Sequence, residues 1–196
     1  ELLMLDAGQG SAVVVRTARH SLVYDAGPRF GERFEAGGAI VAPALARSGV
    51  RRLDRLVISH ADNDHSGGAA GLFAALPVND ALGAEGIEGL AARSCERGMR
   101  WEWDGVAFEV LHPQPQDYER VRKPNAMSCV LRVRGRDASV LLTGDIEREQ
   151  EALLVAAHGA ALGSDVLLVP HHGSRTPSSA ASIDAVAPQV AVAQAS

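Results

Sequence analysis

The chain has 196 residues, 46 % of them hydrophobic and 22 % charged, a globular composition that excludes disorder and suffices for a substantial core. Its net charge of −5 argues against strong non-specific affinity for nucleic acid. A metal-centred phosphodiesterase remains open, because bound divalent ions add positive charge that a residue count omits. No window reaches the roughly 18 apolar residues of a membrane span. The abrupt start at Glu1 and the end at Ser196, directly after strand-like sequence, predict a segment of a longer protein.

In chain order, residues 2–5 and 12–17 read as buried strands joined by the turn Asp6-Ala7-Gly8-Gln9-Gly10, and residues 21–25 as a third. A Gly-rich loop (27–38) leads to a helix (40–48) closed by Gly49. Residues 55–59 form a short apolar strand that runs into His60, and residues 67–76 a helix of small residues stopped by Pro77. The middle, 78–97, is weakly patterned. Residues 99–103 and 106–111 flank Asp104-Gly105, a hairpin signal. A polar loop (113–124) precedes a second hairpin, 129–134 and 139–143. A helix (148–158), a buried strand (165–169), a helix (179–186) and a strand (190–193) complete the chain. Many strands are apolar throughout, which predicts cover on both faces. One domain over 1–196 is expected, as two sheets packed face to face with helices outside.

The chemistry concentrates in Ser59-His60-Ala61-Asp62-Asn63-Asp64-His65-Ser66-Gly67-Gly68. Asp62-Asn63-Asp64 alone would read as a solvated turn. With His60 and His65 added, imidazole and carboxylate groups converge at a strand end, which suits Zn²⁺ or Mn²⁺. His60 and Asp62 can point one way, and Asp64 and His65 can face a second ion. Paired ions clamp the attacking and leaving oxygens of a displacement. The strand Leu141-Leu142-Thr143 then ends in Gly144-Asp145, placed to bridge two cations. Val169-Pro170-His171-His172-Gly173-Ser174 delivers two histidines to another strand end. Side chains of adjacent residues diverge in an extended chain, so one of the two is expected as a ligand, the other contacting substrate or orienting a neighbour. Asp25 closes an apolar strand, where it would cap a turn or, the preferred reading, hydrogen-bond a metal-ligating histidine. His20, His112 and His158 have no partners in sequence and read as ordinary. Cys95 and Cys129 read equally as buried thiols or as one disulfide.

His60-x-Asp62-x-Asp64-His65, Gly144-Asp145 and His171, preceded by Asp25, resemble the metallo-β-lactamase superfamily signature, with Asp62 in place of a middle histidine. Leu5-Asp6-Ala7-Gly8-Gln9-Gly10, Leu141–Glu147, Val169–Ser174 and Asn125-Ala126-Met127-Ser128 extend the likeness to the C-terminal domain of the ComEC family of competence DNA-uptake channels. Two positions depart from the pattern: Ser11 replaces an Asp, and Asn125 and Ser128 stand where the superfamily has a ligand histidine.

The resemblance implies an α/β fold, the αββα sandwich of two mixed sheets. It also implies a domain of an inner-membrane channel on the periplasmic or extracytoplasmic face, without membrane contact of its own. That location favours a Cys95–Cys129 bridge. The expected activity is metal-dependent hydrolysis of DNA by its phosphate backbone, degrading the strand that is not imported. Two divalent ions are expected, Mn²⁺ first and Zn²⁺ second, held by His60, Asp62, Asp64, His65, Asp145 and His171, with the Asp64–His65 site the tighter. Asp64 and His172 are the catalytic candidates. Asp25, Asn125, Ser128 and Ser174 support ligands or bind substrate. A lactone or thioester hydrolase on the same fold and a non-catalytic DNA-guiding module are the alternatives.

Overall fold

The coordinates are a computed structural model and describe residues 1–31, 34–83, 92–120, 123–174 and 177–194. The expected segments 27–38, 78–97 and 113–124 lie partly outside these. The chain divides into two compact units, one of Glu1–Ser94 with Gln194–Ser196, the other of Cys95–Ala193.

In the first unit the strands are β1 (Leu2–Met4), β2 (Val13–Arg16), β3 (Ser21–Tyr24), the short pair β4 (Arg29–Phe30) and β5 (Phe34–Glu35), β6 (Arg55–Ile58), β7 (Ala81–Gly83) and β8 (Arg93–Ser94). Its helices are α1 (Ala42–Arg47), α2 (Asn63–Ser66) and α3 (Ala69–Ala75). The main sheet runs β1-β2-β3-β6-β7-β8. β1, β2 and β3 pair antiparallel, and β3, β6, β7 and β8 pair parallel. All of Ser21–Tyr24 is buried, as the unbroken apolar run requires. One core cluster packs Val14, Val23, Leu56 and Ile58 against Leu45 and Leu72. Each such side chain stabilises by about 1.5–3 kcal/mol on leaving water.

Two expectations need correction here. The loop 27–38 contains the β4–β5 hairpin, and the following helix begins earlier than expected, with a π-helical turn at Gly37–Val41. Gly37 and Gly68 explain the second point. A Cβ on Gly37 would stand 1.8 Å from the Gly68 carbonyl oxygen, so glycine alone lets these two backbones touch.

In the second unit the strands are β9 (Arg100–Trp103), β10 (Val106–His112), β11 (Val130–Arg134), β12 (Ser139–Leu142), β13 (Val166–Leu168) and β14 (Val190–Val192), with α4 (Asp117–Arg120), α5 (Arg148–His158) and α6 (Ala180–Val186). The sheet order is β14-β13-β12-β11-β10-β9. Its meander β9–β12 is antiparallel and β12–β14 are parallel. Asp104 and Gly105, at φ 53° and 79°, make the tight turn that Asp-Gly predicts. A capping box between Glu147 and Gln150 starts α5. The buried Glu151 of α5 accepts from the backbone N–H groups of Ser178 and Ser179, which fixes the start of α6. Cys95 and Cys129 form the disulfide, 34 residues apart in sequence. No helix among the described residues is long and apolar enough to cross a membrane.

Candidate metal centre

In the first unit the site starts from Asp25, just past β3. It is fully buried and lies in the left-handed region at φ 61°, a conformation that Asp tolerates better than most residues. Its carboxylate gathers the end of β6. The Ser59 backbone N–H donates to Asp25 Oδ1 at 2.6 Å, and the Ser59 hydroxyl donates to Oδ2 at 3.0 Å. His65 Nδ1 lies 2.8 Å from the same Oδ2. With a carboxylate as acceptor, His65 carries its proton on Nδ1 and presents a lone pair at Nε2. Ser59 Oγ is also 2.9 Å from His60 Nδ1. Having donated its one proton to Asp25, the hydroxyl accepts from His60, which likewise puts the lone pair of that ring on Nε2.

Both Nε2 atoms face carboxylates. His60 Nε2 is 3.5 Å from Asp62 Oδ2, and His65 Nε2 is 3.8 Å from Asp64 Oδ2. These gaps exceed a strong hydrogen bond. They approach the roughly 3.4 Å expected between two ligands each about 2.1 Å from one tetrahedral ion. The loop is braced from outside: Ser11 N–H donates to the Asp64 carbonyl and Ala26 N–H to that of His65. A Cβ on Gly10 would stand 2.4 Å from that Asp64 oxygen, which explains a glycine in this turn. The Asn63 side chain accepts from the Arg29 N–H and donates to the Arg29 carbonyl.

In the second unit Asp145 follows β12 by way of Gly144, at φ 56°. It is buried, and its N–H donates to Ser128 Oγ at 3.0 Å. The carbonyl of Ser128 is in turn 2.9 Å from His112 Nδ1. His112, expected to be ordinary, is thus a buried support of the Asp145 turn, and burial pushes its pKa down from the usual imidazole value. Ser128 shares that supporting role.

The histidine pair is not in the extended chain that the sequence suggested. His171 and His172 both adopt left-handed conformations, at φ 52° and 55°. The curl puts both rings near Asp145, with Nε2 to Oδ2 distances of 3.9 Å for His171 and 3.6 Å for His172. Extended geometry would have separated them. His171 Nδ1 is buried with no hydrogen-bond partner among the described residues, which leaves a ring nitrogen for a ligand. Of the six described non-glycine residues with positive φ, three are Asp25, His171 and His172, which ties backbone strain to this chemistry. Ser174 is exposed, its N–H donating to the His171 carbonyl. Asn125 opens a 3₁₀ turn that ends at Met127, and its carbonyl accepts from Ser128 N–H.

No role for Ser59 was legible beforehand, yet its hydroxyl links Asp25 to both histidines. Its position directly before His60 at a buried strand end was the available signal. The donors Asp64 and His65 in one unit, and Asp145 and His172 in the other, are of the kind that hold a divalent ion.

The described strands, helices and ligand-bearing strand ends define a metallo-hydrolase class of fold, and the comparisons give it a family. The metallo-β-lactamase superfamily description matches residues 5–195, and the chain belongs to that superfamily. A metallo-β-lactamase of Cronobacter sakazakii with the HARLDQ motif shares the fold at 16 % identity and a TM-score of 0.60, covering 81 % of this chain and 70 % of that one. The chain is 42 % identical over 196 residues to Competence protein ComA of Neisseria gonorrhoeae, covering 96 % of this chain and 26 % of that protein. It is 36 % identical to Recombination protein 2 of Haemophilus influenzae, over 96 % of this chain and 23 % of that protein. The chain therefore spans about a quarter of the length of the curated relatives it matches.

Proposed function

We propose that this chain is the hydrolytic part of a DNA-uptake protein, a phosphodiesterase that uses two divalent ions and degrades the strand that is not imported. The observation that carries the reading is the Asp25–Ser59 network, which turns Nε2 of both His60 and His65 toward carboxylates. A purely structural histidine pair has no need of such an arrangement. Oxygen-rich ligation by Asp62, Asp64 and Asp145 favours Mn²⁺ over softer ions. His60 and Asp62 would hold one ion and Asp64 and His65 the other, with Asp145 and His171 completing the ligand set in the superfamily pattern. When bound, such ions supply Lewis acidity toward the phosphodiester and make water acidic enough to serve as nucleophile. Although His172 also has a donor near Asp145, the ligand role goes to His171, whose Nδ1 is buried with no hydrogen-bond partner among the described residues, and His172 gives a proton to the leaving oxygen, a task that suits imidazole near neutral pH. Ser174 and Asn125 donate to phosphate oxygens. The names of the two relatives support the competence setting, and the Cys95–Cys129 bond suits an oxidising, extracytoplasmic location.

Ser128 favours a second reading, a DNA-guiding module without catalysis. It stands where a ligand histidine is expected and already accepts from Asp145 N–H. One experiment separates the two. Metal content is measured, and the loaded protein is offered linear DNA with Mn²⁺ beside a lactone and a thioester. The nuclease reading expects DNA hydrolysis, reduced roughly 10³-fold or more by Asp64→Ala or His65→Ala, because ligands of one site act as a unit. Intact DNA with loaded, folded protein leaves the guiding module. Efficient lactone or thioester opening moves the chain to that other class.

A further inference from the structure

β3 and β6 run parallel, and their C-terminal ends carry Asp25 and Ser59, the start of the acidic site. Their N-terminal ends carry the opposite charge. There the β2–β3 turn and the segment between α1 and β6 enclose a cavity of about 460 Å³. Arg16, Arg19, His20, Arg51, Arg52 and Asp54 are among its lining residues. Four of the nine basic residues in positions 1–94 therefore meet at one cavity of a chain whose net charge is −5.

The local carboxylates are already committed. Glu1 pairs with Arg16 at 2.8 Å, and Asp54 Oδ2 accepts from Ser21 N–H at 2.9 Å. Four guanidinium groups and one carboxylate, Asp54, are among the described lining residues. The Arg51-Arg52 segment is held in place. Gly49, at φ 77°, turns the chain out of α1. Leu53 is fully buried and donates its N–H to the Pro77 carbonyl, and the Ser21 hydroxyl reaches the Arg52 carbonyl. The side chains of Arg51 and Arg52 remain exposed. Arg55 and Arg93, further along the edge, are tied to Asp80 instead.

We infer that this cavity is a phosphate-binding site that grips a nucleic-acid strand through its backbone, apart from the metal centre. The inference rests on the nucleic-acid reading above for the source of the phosphate. Guanidinium groups match phosphate in fork geometry and keep their charge at any working pH. An anionic lipid offers the same phosphate, but interfacial binding also needs apolar side chains to insert. None of the large exposed apolar residues among those described, such as Phe30, Phe34 and Leu153, lines the cavity. From Ser21 to Asp25 the strand advances about 13 Å, at ~3.3 Å per residue. A nucleic-acid strand covers that in about four nucleotides at ~3.4 Å each. One strand can therefore be held by the arginines while a phosphate several nucleotides away meets the acidic end.

The test uses the 196-residue chain in EDTA, so that the metal centre contributes nothing, and a short fluorescent single strand titrated between about 50 and 200 mM salt. Arg51→Glu with Arg52→Glu should lower the slope of log affinity against log salt by about 1.4, from ~0.7 per lost phosphate contact, and weaken binding tenfold or more. Arg52→Glu alone should show half the change in slope, and the charge-matched Arg136→Glu none. Circular dichroism melting checks that each variant folds. Metal content and Mn²⁺-dependent hydrolysis of bis(p-nitrophenyl) phosphate should not change in the double variant. Equal slopes for wild type and double variant, or no strand binding by wild type, overturns the proposal. Loss of binding to phosphatidylglycerol vesicles with DNA binding intact overturns it in favour of lipid. Intact strand binding with no hydrolysis by any sample sinks the phosphodiesterase reading and leaves the cavity standing.

Discussion

The two units follow one plan with different means of support. Each has an antiparallel meander that passes into parallel strands, and each places its ligand-type residues just beyond the C-terminal ends of those parallel strands. Open α/β sheets generally bind ligands there, because that edge is where loops converge free of the ladder. The first unit fixes its histidines with a buried carboxylate, Asp25, through charge-assisted bonds. The second unit fixes Asp145 with neutral bonds through Ser128 and His112, and holds its frame with a covalent bridge. One half is thus oriented by electrostatics and burial, the other by a turn and a crosslink. The contrast teaches that equivalent positions on a sheet edge need not be rigid for the same reason.

The strongest way to break the comparison is to cut the crosslink. Replacing both Cys95 and Cys129 by Ser should destabilise the second unit by about 3–4 kcal/mol, the chain-entropy value for a loop of this size. Hydrogen exchange should then show protection lost across residues 95–193 first. Uniform loss across both units would show that the bridge does not belong to one unit's support.

A smaller effect compares the two kinds of orientation. Asp25→Asn should weaken metal binding roughly 10–100-fold, as loss of a carboxylate behind a ligating histidine does elsewhere. Ser128→Ala removes a neutral bond worth about 1 kcal/mol and should weaken metal binding less. Calorimetric titration with Mn²⁺ measures both, and equal losses would erase the distinction.

The smallest effect is acid sensitivity of the second unit. Burial, the main cause, lowers the His112 pKa, with the Ser128 carbonyl and Asp117 acting in the opposite direction. A lowered folded-state pKa means that the unfolded chain takes up protons first. The stability contributed by neutral His112 is therefore complete above about pH 6.5 and is lost as pH falls from there through the folded value. Melting curves from pH 7 downward should show this loss in wild type and not in His112→Gln.

Much of this was legible in the residues. Apolar runs that end in His, Asp or Gly-Asp marked β3, β6, β12 and β13 because a fully buried strand needs an unbroken apolar sequence, and a polar residue can come only at its end. The pairing of His60 with Asp62 and of Asp64 with His65 followed from their spacing. Strand alternation, however, failed at His171-His172, because two consecutive left-handed residues abolish the alternation of side chains. The role of Ser59 was hidden because a hydroxyl acts by donating to one group and accepting from another, and only spatial neighbours reveal which. The early start of the helix at Gly37 was hidden for a similar reason, since its partner, Gly68, lies 31 positions away.

Gln194 gives the first unit a history as well as a shape. Its amide donates to the carbonyls of Leu5 and Ala12, and its carbonyl oxygen accepts from the Ser11 hydroxyl, across 182 to 189 positions of sequence. The turn that braces Asp64 is therefore finished by a residue made only after the whole second unit. At ~5–20 residues per second, the ribosome needs roughly 5–20 s to add the intervening 95–193 segment. During that time the Asp6–Gly10 turn exists without its amide partner. The first unit to emerge is then the second to be completed, and a nascent chain stalled before position 194 would carry the metal-loop sequence without its finished brace.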